Sequence, residues 1–123
     1  METALAITKA LADGNRLRVV MALTEQAELC ICQITEMLGW STATVSRHMS
    51  VLQNARLVKS RKDGRWVFYR LAEDFPEPLK RWIIESLNTT EEISSDRNNL
   101  KAILSFEPDE LCRRQKTKRS CHG

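Results

Sequence analysis

Residues 41–71 read STATVSRHMSVLQNARLVKSRKDGRWVFYRL, and this stretch predicts the fold of the chain. Ser41 is a favourable helix N-cap, and it is followed by apolar residues at helical spacing. These apolar residues are Val45, Met49 and Leu52. Asp63-Gly64 then separates two strand-prone runs, which is typical of a tight β-hairpin because both positions tolerate a positive φ. The stretch therefore predicts a helix followed at once by a basic hairpin.

The residues before this stretch predict three more helices. The first ends at Asp13-Gly14-Asn15, where Asp13 or Asn15 caps the second. The third begins at about Ile31 and ends at Gly39, since glycine commonly terminates helices. Only about three residues join the third helix to the fourth, which is helix-turn-helix spacing. We therefore expect a mainly α fold with one β-hairpin (α+β), a dimeric winged helix-turn-helix.

The residues after the hairpin predict two helices with apolar stripes, at about 79–87 and 91–104. We expect a second copy of the chain to cover these stripes in a homodimer; the alternative is that they complete the core of the monomer. Residues 1–104 then form a DNA-binding and dimerisation domain. Residues 105–123 form a basic, cysteine-containing C-terminal tail, in which Pro108 starts one short helical turn.

Composition and charge narrow the function classes. The chain has 123 residues, of which 42% are apolar and 28% charged, as in one soluble domain. Its longest apolar run has five residues, so we expect no membrane partner. Without an export signal, its four cysteines indicate reduced thiols in the cytoplasm. Residues 41–71 carry seven Lys and Arg against one Asp, a net +6 that favours binding to a phosphate backbone.

Three strings resemble the ArsR/SmtB family of metal-sensing bacterial repressors. They are Leu-Cys-Ile-Cys-Gln-Ile at 29–34, Thr-Val-Ser-Arg-His-Met at 44–49 and Gly-Arg-Trp-Val-Phe-Tyr-Arg-Leu at 64–71. The string Leu-Ala-Asp-Gly-Asn-Arg-Leu-Arg at 11–18 is similar to the opening motif of the family. The Leu-Cys-x-Cys string resembles the arsenic-responsive branch.

The resemblance implies a homodimeric repressor that leaves its double-stranded operator DNA when trivalent arsenic or antimony binds. Arsenic(III) or antimony(III) would act as inducer, and no organic cofactor is implied. This chain departs from the arsenic-sensor pattern at Thr35, where a third cysteine is usual, so the third ligand is left open. Residues 79–104 contain no histidine, which argues against the zinc site that other members carry on the dimerisation helix.

The resemblance and the thiol chemistry together point to three metal ligands: Cys30, Cys32 and Cys112. Trivalent arsenic is soft and prefers thiolates, typically three of them. Cys30 and Cys32 lie at or just before the first turn of the third helix. Because residues two apart in a regular helix point away from each other, we expect that first turn to unwind or bend on binding. Cys112 is the better candidate for the third thiolate, in its own chain or in the partner, and Cys121 is the weaker one.

The outer face of the fourth helix predicts the residues that read DNA. Short polar residues beside one arginine suit the major groove, where arginine recognises guanine. We assign this role to Thr44, Ser46, Arg47 and Ser50. On the basic hairpin that follows, which is the wing of the fold, we assign phosphate or minor-groove contacts to Arg61, Lys62 and Arg65. His48 either packs against the core or contacts the DNA backbone.

An enzyme is excluded by the residues available. The chain has two histidines and no nucleophile and base at a recognisable spacing. Two alternatives to an arsenic sensor are open: a regulator that senses oxidation through the same thiols, and a sensor of another soft metal. Cadmium or lead would use the same cysteines, and zinc would take all four thiols.

Overall fold

A computed structural model of the chain describes residues 1–122, with the side chains of residues 1–115. The elements follow one another along the chain as α1 (Glu2–Leu11), α2 (Gly14–Glu25), β1 (Leu29–Cys30), α3 (Ile31–Leu38), α4 (Thr42–Asn54), β2 (Val58–Asp63), β3 (Trp66–Leu71), α5 (Glu77–Leu87), α6 (Glu91–Ile103) and α7 (Pro108–His122). No helix in this part of the chain is both long enough and apolar enough to cross a membrane.

The helix boundaries follow the capping residues that the sequence indicated. The Asp13 carboxylate accepts hydrogen bonds from the first backbone N–H groups of α2, and Ser41 Oγ accepts one from Thr44 N at 3.2 Å. Gly39 ends α3 in the left-handed region, with a φ of 74°. These caps set α3 and α4 at the expected helix-turn-helix spacing, which is confirmed.

The end of α4 uses a left-handed residue that is not glycine. Arg56 has a φ of 63°, and its N–H donates to Gln53 O at 2.9 Å. The next N–H, of Leu57, reaches back to Leu52 O at 3.0 Å, and both leucine side chains are buried. This is a Schellman motif, and it turns the chain directly from α4 into the wing.

The sheet has three antiparallel strands in the order β1-β3-β2. The hairpin exists as predicted, but its two loop residues are Gly64 and Arg65, because Asp63 already pairs with Trp66. Only Gly64 has a positive φ, of 61°, so a glycine in the first loop position makes the turn. Strand β1 was not predicted; it adds Leu29 and Cys30 to the free edge of β3.

The core joins the winged helix to the helices that follow it. The inner residues of α4 are fully buried, as predicted. The apolar residues of α6, among them Ile93 and Leu100, are also buried, and α6 packs on α2 and α3 of the same chain. The expectation that a second copy covers this stripe is therefore wrong. In α1 and α5, by contrast, a large apolar side chain stays exposed in each helix: Leu5 in α1 and Trp82 in α5.

The C-terminal segment is a further correction. We expected one short turn after Pro108, whereas α7 extends over Pro108–His122. Its first half packs against α3, and Leu111 is buried against the core. Burial of that single leucine explains the difference, because it gives a highly charged helix with few apolar residues an anchor on the core.

Candidate metal centre and DNA-binding surface

Three cysteines from distant parts of the sequence meet at one end of α3. Cys30 lies in β1, Cys32 in the first turn of α3, and Cys112 in α7. Their three Sγ atoms all lie within 4.8 Å of one another. Cys30 and Cys32 are buried and Cys112 is partly exposed, so the site opens on the side of α7. Cys121 lies outside the residues whose side chains are described.

The local backbone explains how Cys30 and Cys32 point to one place. Cys30 is the N-cap of α3 in an extended conformation, with φ −79° and ψ 155°, and is therefore not part of the regular helix. Its N–H donates to Gln33 Oε1 at 2.8 Å, which fixes the junction of β1 and α3. The expectation that the first turn of α3 must unwind or bend is therefore wrong, since the strand-to-helix junction before that turn already brings the two thiols together.

Helix α7 supplies the third sulfur from the same chain. Cys112 forms a disulfide with Cys32, with the Cα atoms 5.5 Å apart. One turn further on, Gln115 Nε2 donates to Cys32 O at 2.9 Å and to Glu36 Oε2 at 3.2 Å. Leu111, Cys112 and Gln115 thus hold the first half of α7 against α3, and Gln115 was not expected from the sequence.

The donor set fits a soft metal or metalloid ion. Metal–sulfur bonds of about 2.3 Å place two sulfurs on one ion at most about 4.6 Å apart. The observed limit of 4.8 Å lies close to that separation, so only small side-chain movements are needed once the thiols are reduced. Among the described residues, the group contains three cysteines and no histidine or carboxylate, which matches the preference of soft ions for sulfur.

The predicted reading residues of α4 lie on its solvent face. Ser46, Arg47 and Ser50 are exposed, while Thr44 is partly buried. Arg47 Nη2 lies 3.5 Å from Thr44 Oγ1, and the same hydroxyl accepts a bond from Ser41. The helix therefore presents one arginine among small polar side chains, a surface shaped for a major groove.

On the wing, two of the three predicted basic residues are held by carboxylates of the same chain. Arg61 forms an ion pair with Glu28, just before β1, and its guanidinium lies 4.5 Å from the centre of the Phe68 ring. This hydrogen bond from Arg61 holds the pKa of the Glu28 carboxyl below its usual range. Arg65 forms an ion pair with Asp109 in the first turn of α7. Lys62 is exposed.

His48 lies on the inner edge of α4, where Arg16 of α2 contacts both this helix and the end of α1. Arg16 Nη1 is 3.1 Å from His48 Nδ1, and Arg16 Nε donates to Ala10 O at 2.6 Å. Arg16 therefore ties the end of α1 to the recognition helix, a contact that the sequence did not indicate. Of the two roles considered for His48, this geometry matches the packed, hydrogen-bonded one.

A second unpredicted bridge holds α6 in place. Asp96 is buried and accepts two hydrogen bonds from Arg18, at 2.9 Å from Nε and 2.8 Å from Nη2. Arg18 also donates to Met37 O, at 3.3 Å, near the end of α3. The pair therefore joins α2, α3 and α6 around the helix that carries Cys32. A lone aspartate at an inward position of α6 was the available sequence signal.

Comparison with known proteins finds relatives for the helix-turn-helix part of the chain. Residues 13–60, which include α2 to α4 and the first two cysteines, match the model of the arsR family of bacterial regulatory proteins. The arsenical resistance operon repressor of Escherichia coli is 38% identical over 84 residues, which cover 68% of this chain and 72% of that protein. A cadmium resistance transcriptional regulatory protein, the CadC homologue of Staphylococcus aureus, is 36% identical, covering 59% of this chain and 60% of its own length.

The solved structure of HlyU from Vibrio cholerae has the same fold. It superposes with a TM-score of 0.64 at 25% identity, covering 72% of this chain and 95% of that protein. Across the curated relatives, the chain spans between about half and four-fifths of their own length. Its winged helix-turn-helix and its similarity to these regulators lead to one conclusion. The chain belongs to the arsR family of bacterial regulatory proteins, which are DNA-binding transcriptional regulators and not enzymes.

Proposed function

We propose that this protein is a cytoplasmic, metal-responsive repressor that binds operator DNA as a homodimer and leaves it when arsenic(III) or antimony(III) binds Cys30, Cys32 and Cys112. The observation that carries the proposal is the meeting of three sulfurs within 4.8 Å where β1, α3 and α7 come together. Of these elements, β1 pairs with β3 of the wing and α3 packs on α4. A change at the thiols can therefore reach both the wing and the recognition helix.

A group of three thiols, with no fourth donor among the described residues, favours arsenic or antimony over zinc. Structural zinc sites are almost always four-coordinate, whereas the described group has three members. The relatives include both arsenic and cadmium regulators, so the number and type of donors must decide the selectivity. When bound, the trivalent ion supplies three bonds to sulfur, and the three thiol protons leave with its hydroxides as water.

Each cysteine connects the site to a different part of the DNA-binding unit. Cys30 pairs with Phe68 in the wing strand β3. Cys32 lies in α3, which packs directly on the recognition helix α4. Cys112 holds α7 against α3. For release, the bound ion must favour the conformation that binds DNA less well, because a ligand shifts an equilibrium only by its difference in affinity for the two states.

We expect the dimer to form through the exposed apolar residues of α1 and α5. Leu5 and Trp82 are 46% and 62% exposed in the single chain, whereas α6 is covered within it. A two-fold dimer presents two α4 helices to successive major grooves, which predicts an imperfect inverted repeat as operator. Arg47 would read a base, while Arg61, Lys62 and Arg65 would contact phosphates.

The experiment first selects the operator from a random duplex library and then follows release by fluorescence anisotropy under a non-thiol reductant. Cys30→Ser and Cys32→Ser are expected to bind operator and to ignore arsenite, and Cys112→Ser to need more arsenite. Cys121→Ser is the matched control and should behave like the parent. X-ray absorption should find three sulfurs around arsenic in the parent and two in Cys112→Ser. Release of Cys32→Ser at the parent's arsenite concentration would contradict the assignment.

The disulfide between Cys32 and Cys112 favours a second candidate, a regulator that senses oxidation. Hydrogen peroxide would take two electrons and two protons from these thiols, forming the S–S bond and two waters. Arsenite response under strictly reducing conditions separates the two functions, because only the metalloid sensor then releases DNA.

A further inference from the structure

The wing arginines and the thiol site are connected by two carboxylates. Glu28, the partner of Arg61, stands two residues before Cys30. Asp109, the partner of Arg65, stands three residues before Cys112. Each arginine that we expect to contact DNA phosphate is therefore already bound to a negative group on a segment that carries a site cysteine.

The second of these pairs lies on the element that the thiol site can hold or release. Residues three apart on a helix share one face, so α7 directs Asp109 and Cys112 to the same side. Both residues line one groove of about 190 Å³ between α7, α3 and the wing, together with Cys32 and Arg65. While Cys112 is tied to Cys32, Asp109 Oδ1 lies 2.5 Å from Arg65 Nη2.

We infer that Asp109 is an autoinhibitory phosphate mimic: tying Cys112 to Cys32 seats α7 and places the Asp109 carboxylate where the wing arginine Arg65 would bind a DNA phosphate. The carboxylate satisfies the same guanidinium that a phosphate needs and adds a negative charge near the DNA backbone. Without the tie, the first half of α7 is held by Leu111 and the Gln115 hydrogen bonds, and DNA competes for Arg65 more easily.

This inference rests on the proposed function in assigning the wing to DNA, but its test needs no arsenite. The protein is the full chain with Cys30 and Cys121 replaced by serine, so that Cys32 and Cys112 are its remaining thiols. Hydrogen peroxide takes two electrons and two protons from these thiols and yields the disulfide and two waters. Binding to a short fluorescein-labelled duplex of mixed sequence is measured at several salt concentrations, in the crosslinked and the reduced form.

The crosslinked protein is expected to bind this duplex up to about five-fold more weakly per protomer than the reduced protein, the range of an exposed ion pair. Its salt slope should be smaller by up to about 0.9 for each Arg65 withheld from a phosphate. Asp109→Asn should restore the affinity and the slope of the crosslinked form. Glu110→Gln removes one exposed charge from the same turn of α7 and is the matched control. We expect it to leave the difference between the crosslinked and reduced forms unchanged.

Asp109 also lies 3.5 Å from Arg113, and it contributes to the general charge of α7. A double-mutant cycle with Arg65→Ala separates the Asp109–Arg65 contact from both of these effects. In the Arg65→Ala background, Asp109→Asn should change affinity no more than Glu110→Gln does. Two results would overturn the inference. One is equal DNA binding by the crosslinked and reduced forms of the two-thiol protein, and the other is an effect of Asp109→Asn that persists in the Arg65→Ala background. Failure of arsenite to release operator in the earlier experiment would overturn the metalloid function and leave this result standing.

Discussion

Reducing the bond between Cys32 and Cys112 is the perturbation whose effect on stability follows most directly from the structure. The bond closes a loop with a sequence separation of 80 residues. In the chain-entropy model, the entropy that a crosslink of this length removes from the unfolded state is equivalent to about 4.5 kcal/mol of stability. Measured disulfides typically stabilise proteins by about 2–4 kcal/mol. We therefore expect the crosslinked protein to be about 2–4.5 kcal/mol more stable than the reduced protein.

This difference converts to a shift in melting temperature. Unfolding entropy is about 2.1 cal/mol/K per residue, or about 0.26 kcal/mol/K for this chain. The expected shift is therefore about 8–17 °C, measured by the far-ultraviolet circular dichroism of the helices in the crosslinked and reduced forms. Cys112→Ser, which cannot form the bond, should melt at one temperature under both conditions. If the parent melts within about 3 °C in its two forms, α7 is not tethered to the winged helix and the site geometry is wrong.

Three smaller predictions concern contacts that surround the site. Asp96→Asn should lower the free energy of unfolding by about 2–3 kcal/mol in urea, because it leaves the partly buried Arg18 charge without its carboxylate partner. The control Glu25→Gln breaks an exposed ion pair with Arg97, also in α6, and should lower it by less than about 1 kcal/mol. Arg56→Gly should raise the melting temperature by about 2 °C, since relief of the positive φ slightly outweighs the extra freedom of glycine when unfolded. By NMR, the pKa of the Glu28 carboxyl should lie below its ordinary 4.5 and should rise in Arg61→Ala. Because the folded pKa is lowered, this pair stabilises the protein above pH 4.5, and the contribution disappears as the pH falls through the lowered pKa.

The winged helix was predictable because its signals are local. Ser41 and Gly39 specify helix ends through their own backbone and side-chain chemistry, and the inward residues of α4 follow one period. The hairpin was placed correctly and its loop was off by one residue, since Gly64 alone provides the positive φ. Strand β1 has two residues, too few for any alternation to show in the sequence.

The thiol site was predictable in its members and not in its geometry. The family string and soft-ion chemistry together pointed to Cys30, Cys32 and Cys112, but regular-helix geometry gave the wrong orientation for Cys30, which lies in a strand. The length of α7 was missed because its apolar signal is one residue, Leu111. The pairings of Glu28 and Asp109 with the wing join residues 33 and 44 positions apart, which no local pattern encodes.

The seating of α7 on α3 through one buried leucine has a consequence for how such regulators diversify. The segment that matches the family ends at residue 60, whereas the third sulfur enters from a helix more than forty residues later. Substitutions in that late helix can add, remove or exchange a ligand while the recognition surface of α4 keeps its sequence. The third donor can therefore change independently of the residues that face DNA, whereas Cys30 and Cys32 share the family segment with α4.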